Sequence, residues 1–84
     1  MERIKLIWDF RGPNAEPIAT HHAKHLQEFA ETEGLQDTIC DTEKVNDLHY
    51  IAYLVVAKNM MDELRIRLKP NRGQLYRGTS NENN

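Results

Sequence analysis

Hydrophobic and polar residues alternate at the start of this chain, with Ile4, Leu6, Trp8 and Phe10 on one parity and Lys5, Ile7, Asp9 and Arg11 on the other. Period-two alternation of β-favouring side chains predicts a half-buried strand over 4–11, its first row facing the core. Gly12-Pro13-Asn14 ends it, because proline donates no ladder hydrogen bond and glycine permits a sharp turn. The period then changes. Ile18, Ala19, Ala23, Leu26, Phe29 and Ala30 share one side of a helical wheel, while Thr20, Lys24, Gln27, Glu28 and Glu31 share the other. That predicts an amphipathic helix from Glu16 to about Glu33. Asn14 suits its N-cap, Glu16 and Pro17 its first turn, and Gly34 the left-handed residue that stops it.

Residues 37–45 are β-favouring at Thr38, Ile39, Cys40 and Thr42, but Asp41, Glu43 and Lys44 make the segment polar enough to be an edge strand. Asn46-Asp47 supplies turn chemistry. Residues 49–57, HYIAYLVVA, are apolar on both parities: Tyr50, Ala52, Leu54 and Val56 on one, Ile51, Tyr53, Val55 and Ala57 on the other. A continuous helix over 43–69 competes with this strand. The β-branched and aromatic content of 51–56 argues against it, as does the fresh cap at Asn59. Asn59 and Asp62 resemble a capping box for a helix over about 60–69, with Met60, Met61, Leu64 and Leu68 inward and Ile66 opposite. Pro70 and Gly73 are expected to stop that helix. Residues 74–77 suit a short closing strand.

The order is β-α-β-β-α with a possible short fourth strand: an α+β, ferredoxin-like arrangement with two helices on one face of an antiparallel sheet. One domain over 1–78 and a disordered polar tail over 79–84 account for the chain. The other sheet face has no helix to cover it. Ile51, Tyr53 and Val55 point there, and contiguous apolar surface marks an interface. A homodimer through that face is therefore expected.

Composition sharpens this picture in a few places. Eleven basic and thirteen acidic residues give a net charge of −2, without the basic excess of a nucleic-acid binder. A chain of 84 residues buries only about 60% of its unfolded surface, so pairing adds welcome stability. The lone Cys40 forms no internal disulfide and no thiol pair for a metal. The longest apolar run, 51–57, is far short of the ~20 residues a membrane span needs, and no signal peptide is visible. A cytoplasmic protein is the expectation.

The element order, the size and the two-faced strand at 49–57 resemble the dimeric α+β barrel proteins, relatives of the antibiotic-biosynthesis monooxygenases. That resemblance implies two subunits paired sheet to sheet, with a small organic ligand held between sheet and helices. It carries over no catalytic residue.

Candidate chemistry centres on the histidines of the first helix. His21 and His25 stand one turn apart, a spacing at which two imidazoles can share a metal ion. A zincin-type site has Glu directly after its first His, where this chain has His22. No third ligand follows at a diagnostic distance, so neither a metal nor a cofactor is expected. His22 falls inside the apolar arc, aimed at the inward row of Trp8 and Phe10. It is the candidate general acid/base, with Trp8, Phe10, His25 and Tyr50 as candidate ligand contacts. The alternative is a core histidine bonded to a backbone carbonyl or a tyrosine. Asp9 is expected to pair with Arg11 on the opposite face. Two functions follow: a non-catalytic module binding a small molecule or a protein, or a small cofactor-independent enzyme working through His22.

Overall fold

The computed structural model describes residues 2–76, and the predicted tail over 79–84 lies outside them. The elements run β1 (Arg3–Arg11), α1 (Ala15–Thr32), β2 (Ile39–Asn46), β3 (His49–Ala57), a 3-10 turn (Lys58–Met60), α2 (Met61–Leu68) and β4 (Arg72–Tyr76). The four strands form one antiparallel sheet in the order β2-β3-β1-β4, with both helices on one side. This is the ferredoxin-like α+β arrangement, fourth strand included.

The inward row of β1 reaches the helices as its alternation requires. Ile4, Leu6 and Trp8 form the core with Ala52, Leu54 and Val56 of β3, Ala23 and Leu26 of α1, and Leu64 of α2, and Phe10 packs against them. Helix α1 buries Ala15, Ala19, Ala23, Leu26 and Ala30. A stripe so rich in alanine lets the helix backbone lie close to the sheet. Ile18, expected in the apolar arc, is instead half exposed. The helix closes on a Schellman motif, with Gly34 at φ 68°, its N–H on the Glu31 carbonyl and the Leu35 N–H on that of Ala30.

Two cap expectations need correction. Asn14 occupies the N-cap position of α1, but its side chain makes no capping bond. The Asn59–Asp62 capping box does not form: the chain enters α2 through the 3-10 turn, which places Asn59 inside a helical turn and leaves Met60 at the N-cap. The far end of α2 stops at Lys69, left-handed at φ 52°, with Pro70 next. Gly73 is a strand residue rather than a terminator. A Cβ there would lie 3.6 Å from both the Ile4 and the Leu6 side chains.

On the helix-free side, parity sets out Lys5, Ile7, Asp9, Ile51, Tyr53, Val55, Asp41, Glu43 and Arg72. The expected open apolar patch is not there. Ile7, Ile51 and Val55 are 2%, 4% and 0% exposed within a single chain. Longer neighbours fold over them. Lys5 reaches from β1 across β3 to Glu43 on β2, Nζ to Oε1 3.2 Å, and its ammonium sits 4.3 Å from the Tyr53 ring centroid.

Candidate functional site

On the helix side, His22 is one position off the alanine stripe, and its ring enters the wedge between α1 and β1. Ring centroids lie 5.1 Å from Trp8 and 5.4 Å from Phe10. Its Nε2 is buried and has no hydrogen-bond partner. Dehydration holds the imidazole below its ordinary pKa, with His25 and His21 adding to the effect, so the ring is neutral near pH 7. Trp8 is 5% exposed, and its indole N–H donates to the Leu68 carbonyl at 3.0 Å, which ties β1 to the end of α2. Tyr50, half buried, sits cross-strand from Phe10. His25 stands apart from this group on the solvent side of α1, its Nε2 3.0 Å from that of His21.

Thus Trp8, Phe10 and His22 come together with Tyr50 beside them, and His25 does not. Among the described residues, a surface cleft of about 660 Å³ is bordered by Arg3, Gln36, Asp37, Thr38, Ile39 and Ala57. His22 does not line this cleft.

The helix-free face holds a constellation that sequence reading missed. Asp9 pairs not with Arg11 but with Arg72 and His49. Arg72 grips the carboxylate with two bonds, Nε to Oδ2 at 3.1 Å and Nη2 to Oδ1 at 3.0 Å, while His49 Nε2 donates to Oδ1 at 2.8 Å. The Asp9 N–H donates to Asn71 Oδ1 at 2.7 Å, and the Asn71 N–H to the Ile7 carbonyl at 2.9 Å. The Arg72 guanidinium draws the Asp9 pKa down to about 2, with help from His49 and against the pull of burial. A carboxylate that acidic is a weak base, poorly matched to taking up a proton near neutral pH. The signal for the trio was present in part: His49 shares parity with Ile51. A last strand beginning at Gln74, as the sequence suggests, puts Arg72 in a loop, whereas β4 begins at Arg72.

The Cys40 thiol is poorly placed to act as a nucleophile. It lies 3.0 Å from the Ala23 carbonyl, and burial pushes its pKa up to about 11. Among the described residues no three His, Cys, Asp or Glu gather as a metal cage, and no helix is long and apolar enough to cross a membrane. Comparison of the chain with known protein families, with curated proteins and with solved structures finds no match.

Proposed function

We propose that this chain is a non-catalytic binding module that works as a homodimer, two copies stacked through the helix-free faces of their sheets. On this reading it serves a small organic molecule or a protein ligand and is a member of the dimeric α+β barrel type. The observation that carries the proposal is the make-up of that face. The molecule is a slab of 37 × 35 × 18 Å with helices on one side only. The bare side displays Tyr53 under Lys5 and Tyr76 under Arg3, the cation of the latter pair 5.2 Å from the ring. Tyrosine and arginine are the residues that dominate protein interfaces.

Charge on this face is also weighted by strand. Asp41 and Glu43 stand on β2 at one edge, while on the other half Arg3, Lys5 and Arg11 on β1 and Arg72 on β4 outnumber the acid there, Asp9. A two-fold axis parallel to the strands sets the acidic edge of one copy over the basic half of its twin, the self-complementarity an isologous dimer requires. The test is ionic strength. Raising salt from about 0.1 to 1 M shortens the screening length from about 10 to 3 Å, and the dimer dissociation constant is expected to rise about tenfold. A constant that holds steady or falls rejects this pairing.

One observation favours a second reading. A buried imidazole nitrogen without a partner is uncommon, and a neutral ring can accept a proton. On that reading the chain is a small cofactor-independent enzyme with His22 as acid/base, its pocket shaped by Trp8, Phe10 and Tyr50 and opening when ligand binds. His22→Gln separates the two in a thermal-shift screen of small organic molecules. The enzyme reading expects the fold to persist while ligand stabilisation disappears. A fall in melting temperature with no ligand effect makes His22 a core residue.

A further inference from the structure

His21 and His25 take no part in the site described above, yet their rings are arranged on α1 in a way that spacing alone does not guarantee. The two Nε2 atoms face one another at 3.0 Å, and the rings meet edge to face, centroids 4.4 Å apart and planes at 82°. Both histidines are exposed, so the rings can turn without disturbing the core. Behind His25, the Glu28 carboxylate lies 3.5 Å from Nδ1. A carboxylate there favours the proton on Nδ1 and leaves the Nε2 lone pair available to a hydrogen-bond donor or an ion, the usual support for a metal-bound imidazole.

We infer that His21 and His25 form a two-nitrogen site for a late divalent transition metal of tetragonal preference, copper(II) first and nickel(II) second. With metal–nitrogen bonds of about 2.0 Å, nitrogens 3.0 Å apart subtend roughly 97° at the ion. That is the angle between neighbouring positions of a square-planar or octahedral centre. Tetrahedral zinc, at about 109°, asks for a separation of roughly 3.3 Å and for at least one more protein ligand. Water completes the tetragonal shell at an exposed position, and copper(II) heads the affinity order for nitrogen donors. Without metal, the same separation serves as a hydrogen bond. His21 Nε2–H donates to His25, whose own proton faces Glu28. On binding, His21 moves its proton to Nδ1 and both Nε2 lone pairs turn to the ion. No proton is lost, and no redox change occurs.

The test is calorimetric titration of chelator-treated, untagged protein with copper(II), nickel(II) and zinc(II) salts in a weakly coordinating buffer. One equivalent of copper is expected to bind, more tightly than nickel and nickel more tightly than zinc. His21→Gln and His25→Gln are each expected to lower copper affinity at least tenfold, and Glu28→Gln to lower it by less. Electron spin echo modulation of the copper(II) form should show two equatorial imidazoles. The inference is overturned if the His21→Gln/His25→Gln double variant binds copper within twofold of wild type. It is equally overturned if the copper signal shows a single imidazole or none.

Discussion

Tyr53→Glu is expected to turn a dimer into a monomer. Tyr53 stands at the middle of the helix-free face, between Ile7 on β1 and Asp41 on β2, its ring half buried beneath the Lys5 ammonium. A carboxylate there loses the aromatic surface and the cation–π contact, and it adds a negative charge beside Asp41 and Glu43. In a two-fold stack the cost falls on both copies. Central aromatic residues of an interface are commonly worth about 2 kcal/mol or more each, so the dissociation constant should rise at least about a hundredfold. Tyr53→Phe keeps the ring and should keep the dimer. Light scattering on eluting protein reads both outcomes. A Tyr53→Glu protein that remains dimeric moves the interface elsewhere.

The second large effect is an acid unfolding profile with two steps of separate origin. Burial lowers the folded pKa of His22 below 6.5, so the unfolded chain binds more protons there. The corresponding stability is complete above pH 6.5 and is lost as pH falls through the folded value. Asp9, lowered from 3.8 to about 2, contributes stability that is complete above pH 3.8 and is lost as pH falls through about 2. The Asp9 side chain is only 13% exposed, but Arg72 is 49% exposed, and solvent screens the pair. The contribution is therefore discounted to about 1–2 kcal/mol. Asp9→Asn should remove the lower step and cost that amount at neutral pH. His22→Gln should remove the upper step and leave the lower one. Denaturant titrations at a series of pH values read both, and a single step that survives both substitutions contradicts these assignments.

Where periodicity was strong, the fold was legible. The alternation of 4–11, the wheel of 16–33 and the two-faced run of 49–57 each decide an element without help from the rest of the chain. The ends of elements were less so, because caps depend on geometry that neighbours impose. Asn59 reads as a cap, yet the tight turn leaving β3 draws it into a helical conformation. Gly73 reads as a stop, yet it is a strand residue paired with Leu6, where an added Cβ would meet Ile4 and Leu6 at ordinary contact distance. Trp8, Phe10 and His22 were brought together correctly by parity and wheel alone.

The Asp9–Arg72–His49 trio was not found, since it spans 63 residues of chain and depends on where the shortest strand begins. Burial on the helix-free face was also misjudged. Parity says which way Val55 points, but not that Lys5 and its neighbours reach over to close it off. The face thus offers tyrosine and paired charge rather than bare hydrocarbon. That changes the character of the expected interface from greasy to polar and salt-sensitive.

Sedimentation equilibrium of the wild-type protein, carried from low to high micromolar concentration at moderate salt, bears on pairing most directly. The sheet-to-sheet account predicts a mass rising to twice the 9.8 kDa of one chain. A mass that stays at 9.8 kDa across that range contradicts it.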